Sequence, residues 1–176
     1  MTRWERPFRM IQANLRKIDA VGLDVAALLD GIREYGGDAT LANAGGLVAW
    51  YPTELPFQRR NEHLDFDFVG RLLEEARRRD IRVLLRLDVS KQYDDMYAAH
   101  PEWFARGSDG GPIRHWDMLA TCWNGPYWQE KNFEILDEIL GRYEPDGIFY
   151  NAYSYTACSC DRCRHCGFRQ SVGHFA

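Results

Sequence analysis

Glu144 to Cys163 reads EPDGIFYNAYSYTACSCDRC, and the fold turns on the order of its parts. Pro145 stops a helix, Asp146 is a turn residue, and Gly147 to Tyr150 is a short apolar run suited to a buried strand. Asn151 and Tyr153 fall at the carboxyl end of that run, and three cysteines follow at once. In α/β proteins the side chains at strand carboxyl ends project into a crevice between loops, which is where ligands are held. The stretch therefore predicts a parallel strand with a site at its end.

Working upstream, Pro126 fits the first turn of a helix whose apolar positions are Trp128, Phe133, Ile135, Leu136, Ile139 and Leu140. Ile81 to Leu87, IRVLLRL, reads as a strand covered on both faces, with Asp88 at its end. Before it, Asp67 opens a helix with Val69, Leu72, Leu73 and Ala76 on one face, and Glu74 with Arg78 and Glu75 with Arg79 as outward pairs. Ala39 to Ala44 is a strand, followed by a loop from Gly45 to Pro56 that carries Trp50 and Tyr51. Asp24 caps a helix over Val25, Leu28, Leu29 and Ile32, stopped by Gly36-Gly37, and Met10 to Leu15 is the first strand.

Four strands alternating with three helices imply right-handed crossovers and a parallel sheet. A closed eight-stranded barrel takes about 250 residues. The 176 residues here predict an α/β fold, the N-terminal half of a TIM (β/α)8 barrel, as one partial domain over 1–176. Val89 to Trp123 reads as a long loop of functional length. Residues 164–176 show no periodicity and read as an aberrant tail of a truncated or frame-shifted frame. Half a barrel leaves two bare strand edges, which call for a homo-oligomer or a missing C-terminal half barrel.

Composition narrows the function. A net charge of -4 argues against nucleic acid as a partner, because phosphate binding needs surplus Lys and Arg. No apolar run reaches the roughly 20 residues that span a bilayer, and the start, MTRWERPFRM, lacks a signal's apolar core, so the expectation is a cytoplasmic protein without a membrane partner. Four of the 5 cysteines crowd between Cys158 and Cys166, which in a reducing compartment points to metal before disulfides. Reduced surface thiols are the plainer alternative.

DGIFYN followed by a C-x-C-x-x-C cluster resembles the hypothetical glycosyl hydrolase 6 family, related to the family 42 β-galactosidases. Cys122-Trp123-Asn124-Gly125-Pro126-Tyr127 is likewise similar to the galactosidase segment that opens the helix before the fourth strand. The specific motifs lie between Cys122 and Cys163, while the rest of residues 9 to 163 matches as generic barrel pattern. The resemblance implies a structural zinc held by Cys122, Cys158, Cys160 and Cys163, with Cys166 able to replace Cys122. Four thiolates suit tetrahedral Zn²⁺ and leave no open position for a substrate water.

For catalysis the resemblance implies hydrolysis of an O-glycosyl bond by two carboxyl groups about 5 Å apart. The galactosidases end their fourth strand in Asn-Glu, the Glu being the acid/base. This chain has Asn151-Ala152. In α-fucosidase-like barrels a fourth-strand Asp is the nucleophile, and an amide at Asn151 cannot take that role. Asp88 is the one carboxylate expected to face the crevice, with pairing to Arg86 or capping of the next turn as its blander reading. Asn151, Tyr153, Trp50, Trp123 and His115 are the candidate carbohydrate contacts, although loop aromatics are also commonly core caps and a loop histidine is often only solvated. The expectation is a glycoside hydrolase-like catalytic-domain fragment that binds carbohydrate and is inactive alone. The alternative is a noncatalytic zinc-stabilised carbohydrate-binding or assembly module, and a third reading is a redox or metal-transfer protein using Cys158 to Cys166.

Overall fold

Two aspartates start the long helices. In the computed structural model, which describes residues 7–151 and 157–165, the Asp24 carboxylate accepts the Ala27 N–H at 3.0 Å and opens α1, Val25–Glu34. Asp67 accepts the Gly70 N–H at 2.9 Å and opens α2, Phe68–Arg78. Each cap satisfies a backbone donor that the helix cannot, which contributes about 1 kcal/mol. Gly36, at φ 76°, lets the chain leave α1 in a left-handed conformation that a side chain would resist.

The chain divides into two compact units. The first holds the described residues up to Leu87 together with Ile135–Tyr150. Its sheet has the order β1 (Met10–Gln12), β2 (Ala39–Gly46), β3 (Arg82–Asp88), β7 (Gly147–Tyr150). β1 pairs parallel to β2 from Met10 opposite Ala39, and β3 pairs parallel to β7 from Leu84 opposite Gly147 to Leu87 opposite Tyr150. The sheet order follows the chain order, as in a run of consecutive strand–helix–strand units.

All eight residues of β2 are buried, and Leu29, Ile32, Leu72, Leu73, Leu85, Ile135 and Ile139 form the surrounding core. Each such side chain contributes about 1.5–3 kcal/mol when fully buried. Gly45 makes one close approach possible, since a Cβ there would lie 2.8 Å from Gln58 Oε1 and 3.1 Å from Ile135 Cγ2. The expected outward pairs form on α2, Arg78 with Glu74 and Arg79 with Glu75. Arg79 also reaches Asp30 of α1 at 2.7 Å. Asp146, expected only as a turn residue, accepts the Val83 N–H at 2.8 Å and pins the start of β7 to β3.

A half-buried carboxylate completes this unit. Glu138, on α4 (Asn132–Arg142), accepts from Tyr51 Oη at 2.7 Å, Thr53 Oγ1 at 2.5 Å and the Glu54 N–H at 2.6 Å. Arg142 lies 3.4 Å away. Gln58 joins the network, donating to Tyr51 Oη and Thr53 Oγ1 while accepting the Gly46 N–H. Burial alone would raise the Glu138 pKa, but the donors from Glu54, Thr53 and Tyr51 and the Arg142 charge hold it below the ordinary carboxylate value.

The second unit holds Asp88–Glu134 and the described residues from Asn151 onward. Val89 to Trp123, expected as a loop, carries helix α3 (Asp94–Ala99) and a sheet of order β4-β6-β5, formed by Lys91–Gln92, Met118–Ala120 and Arg114–His115. Strands of two and three residues are too short to show an alternating pattern in sequence. Stacked rings fill this unit: His100 on Trp103 at 3.9 Å, Trp103 on Tyr127 at 5.1 Å, and Trp123 on Trp128 at 5.0 Å. Gln92 donates to the buried Tyr127 hydroxyl at 2.6 Å.

Three expectations are corrected. The first strand ends at Gln12 rather than Leu15, because Leu15 turns back on Ala13 and its carbonyl takes the Asn43 side chain instead of a ladder partner. The helix at Pro126 opens as a wide π turn, Tyr127–Lys131, before continuing as α4. Phe133 and Leu140, expected inside, are 53% and 49% exposed.

Candidate functional site

The register of β3 on β7 builds the strand-end site. With Leu87 opposite Tyr150, the next residues on each strand are Asp88 and Asn151, and Asn151 Nδ2 donates to Asp88 Oδ2 at 2.9 Å. The other carboxylate oxygen, Oδ1, accepts the Ser90 hydroxyl at 2.6 Å and the Ser90 N–H at 3.2 Å. Asp88 thus caps the turn that follows it. Arg86, the other partner considered, donates instead to Asn14 Oδ1 at 3.0 Å.

Lys91 Nζ lies 4.0 Å from Asp88 Oδ2, with 16% and 13% of the two side chains exposed. The same ammonium sits 5.5 Å from the centre of the Trp116 ring. Amide, carboxylate, ammonium and indole therefore form one continuous strip within the second unit. Ser90, Lys91 and Trp116 were not among the sequence candidates. Only the position of Lys91 three residues after Asp88, in a polar turn at a strand end, hinted at it.

The remaining candidates are distributed as follows. Trp50 is 3% exposed and meets Phe68 edge-on at 5.2 Å, so it is a core residue and offers no sugar a surface. Trp123 is half-buried, with one face against Trp128. His115 is exposed on β5. Tyr153, Ala152 and Cys166 lie outside the described residues. In the first unit an open groove of about 850 Å³ is lined by Val21, Asp24, Glu62, His63, Phe66 and Arg71 among others. Two of its charges are engaged, Glu62 with Lys17 at 2.8 Å and Arg71 over the Phe66 ring, and it holds no predicted site residue.

Four cysteines form a second constellation in the second unit. Cys122 follows β6, Cys158 and Cys160 precede α5 (Asp161–His165), and Cys163 lies on it. Their sulfurs all fall within 4.8 Å of one another, and Cys122, Cys158 and Cys163 are buried. Cys122 Sγ is 3.4 Å from Cys163, 3.6 Å from Cys160 and 3.7 Å from Cys158. Sulfurs about 2.3 Å from a tetrahedral zinc stand about 3.8 Å apart, whereas a disulfide is about 2 Å long. These residues therefore fit a four-thiolate metal ion and can hold one.

Polar donors reach two of the sulfurs. The N–H groups of Arg106 and Cys160 point at Cys158 Sγ, and Asn124 Nδ2 donates to Cys163 Sγ at 3.3 Å. Burial pushes the Cys158 thiol up, yet those backbone donors bring it below its ordinary value, while burial raises both Cys122 and, despite the Asn124 donor, Cys163. A buried cluster cannot carry four negative charges unaided, and a divalent cation removes that conflict. Gly125 lets the chain fold tightly over the ligand, since a Cβ there would lie 3.0 Å from the Cys122 carbonyl oxygen.

A sequence model of the hypothetical glycosyl hydrolase 6 family matches residues 24–152. No curated protein matches this chain. Among solved structures, α-L-fucosidase isoenzyme 2 from Paenibacillus thiaminolyticus is similar with a TM-score of 0.75 at 18% identity, covering 94% of this chain and 26% of that one. A hypothetical protein from Ruminiclostridium thermocellum ATCC 27405 gives 0.66 at 13% identity, covering 87% and 81%. A β-galactosidase from Rahnella sp. R3 gives 0.58 at 20% identity, covering 80% and 20%. These likenesses carry the fold, a partial (β/α)8 barrel, and the chain spans about a quarter of the fucosidase and a fifth of the galactosidase. No described helix is long and apolar enough to cross a membrane.

Proposed function

We propose that this chain, which belongs to the hypothetical glycosyl hydrolase 6 family, binds carbohydrate at the strip formed by Asp88, Lys91 and Asn151 and by itself has little or no power to cleave a glycosidic bond. The observation that carries the reading is the Asn151–Asp88 hydrogen bond of 2.9 Å at the carboxyl ends of adjacent parallel strands, the position where barrels hold their ligands. Asn151 is oriented by that bond, and its amide oxygen suits a sugar hydroxyl. Lys91 supplies donors beside it.

Cleavage needs a carboxylic acid that can give up its proton and a second carboxylate on the other side of the bond. Asp88 accepts on both oxygens, from Ser90 and from Asn151, so it orients rather than attacks. The residue after Asn151 is an alanine, which has no proton to give. Zinc at Cys122, Cys158, Cys160 and Cys163 would act structurally, with no position for substrate. It would fasten the segment around α5 to the chain after β6. The same reading puts the protein in a reducing compartment such as the cytoplasm, where thiolates persist. A noncatalytic carbohydrate-binding module is the second reading, favoured by the engaged state of Asp88.

The test uses the whole chain with p-nitrophenyl α-L-fucoside and p-nitrophenyl β-D-galactoside, the sugars of two similar structures, and with the corresponding free sugars in calorimetry. Binding without release of nitrophenol is expected, weakened about tenfold in Asn151→Ala, in keeping with the loss of a hydrogen bond to ligand. Turnover that disappears in Asp88→Asn would show that the chain is a working hydrolase. Absence of binding to any of these probes would remove the carbohydrate reading.

A further inference from the structure

β5 and β6 form a hairpin with His115 opposite Met118, so Trp116 and Asp117 alone make the turn. Trp116 has φ 56°, and Asp80 is the only other described non-glycine residue with positive φ. Positive φ at the first of two turn residues is the pattern of a type II′ hairpin, where glycine ordinarily stands. A bulky aromatic residue there is strained, and strain of this kind persists where a function holds it.

The same side chain is 88% exposed, whereas Trp50, Trp103 and Trp128 are all buried. Nothing in the packing of the hairpin accounts for it, because the ring has left the core. On one side Lys91 Nζ stands 5.5 Å from the ring centre. Lys91 is in turn beside Asp88, which holds Asn151. An indole with a cation nearby and most of its surface open to solvent lies at the end of a row of hydrogen-bonding groups.

We infer that Trp116 is the stacking platform of the strand-end site, taking the apolar C–H face of a neutral pyranose whose hydroxyls meet Asn151 and Lys91. The inference rests on the carbohydrate reading above and adds the ring-recognition element that Trp50, buried, cannot supply. Sugar rings offer one face of C–H groups with slight positive charge, which suits the negative face of an indole. The hydroxyls at the ring edge then reach donors and acceptors alongside. Lys91, 5.5 Å from the ring centre, is within reach of a cation–π attraction to the same indole.

Trp116→Gly separates binding from folding, because glycine relieves the strained turn while removing the platform. L-fucose, D-galactose and maltotriose are titrated into the whole chain and into Trp116→Gly, Trp116→Phe and Asn151→Ala, with thermal melting of each. The expected result is about tenfold weaker binding in Trp116→Gly, the loss of one stacking contact, with a melting midpoint equal to or above wild type. Trp116→Phe keeps most of the affinity. Sugar should also shield Trp116 from acrylamide quenching and shift its emission to the blue.

Equal affinity in Trp116→Gly and wild type, with Asn151→Ala still impaired, overturns the platform and leaves the carbohydrate reading standing. A change confined to self-association in sedimentation also overturns it and makes the indole a protein contact. Lack of binding by wild type to all three sugars removes both readings together.

Discussion

In the unit that ends at Leu87 and resumes at Ile135, β2 buries all eight of its residues and two aspartate-capped helices cover the sheet. In the unit that starts at Asp88, the longest described strand has three residues, and its small buried cluster joins Ala105 and Ala120 to Cys122, Cys158 and Cys163. The first assembles from apolar area, which needs no partner. The second lacks the length to bury much and relies on aromatic stacks and on thiols gathered at one point. Small units with thin cores commonly need such a staple, and the contrast predicts that the two will respond differently to the same perturbations.

The largest difference should come from the metal. Structural zinc in small domains contributes about 10–16 kcal/mol of apparent binding free energy at neutral pH, more than a thin core can replace. Purified protein is expected to carry one zinc per chain by elemental analysis. Chelation, or Cys122→Ser, should abolish the near-ultraviolet dichroism of the Trp103–Tyr127 and Trp123–Trp128 stacks, while the far-ultraviolet signal of α1 and α2 persists. Metal-free protein with its aromatic dichroism intact would break the contrast between the units.

A core truncation should have the opposite selectivity. Leu85, on β3, has no exposed surface, and Leu85→Ala is expected to cost about 3 kcal/mol through lost transfer energy and the cavity left behind. The loss should appear in the urea midpoint followed at far-ultraviolet wavelengths, with zinc content unchanged at low denaturant. If Leu85→Ala also releases zinc under native conditions, the two units unfold as one and the contrast sharpens into a single cooperative system.

How much of this was legible follows the same division. α1 and α2 could be read because Leu29 with Ile32 and Leu72 with Ala76 repeat at helical spacing behind an Asp cap, and β3 because Ile81 to Leu87 is a continuous apolar run. Phe133 and Leu140 were misplaced since an apolar residue on a helix does not announce which stripe faces inward. The short strands of the second unit have no period to read. Trp50 in a loop looks the same in sequence whether it packs on Phe68 or faces a ligand. The crowding of Cys158, Cys160 and Cys163 was readable from their spacing, whereas Cys122, far away in the chain, came only from the family likeness. Lys91 and Trp116 were not, since their nearness depends on the register of β4 on β6 and on a turn whose positive φ falls on a tryptophan.

The smallest expected effect lies in the polar network of the first unit and has a pH signature. Glu138 accepts from Tyr51, Thr53 and the Glu54 backbone, and Glu138→Gln sets an amide N–H₂ against one of those donors, at a cost of about 2 kcal/mol. The carboxylate's folded pKa is held below its ordinary value of 4.5. Its contribution is therefore complete above that value and is lost as pH falls through the lower folded pKa, because the unfolded chain then binds the proton more readily. Urea midpoints of wild type and Glu138→Gln, followed through the helical signal, should differ most at pH 7 and draw together as pH falls below the ordinary carboxylate value and through the lower folded one. Any bound zinc would also be released as thiolates protonate, so the comparison is made in both proteins after chelation, where the first unit is expected to report alone. A gap that stays constant down to pH 3 would mean that Glu138 acts through its shape and not its charge.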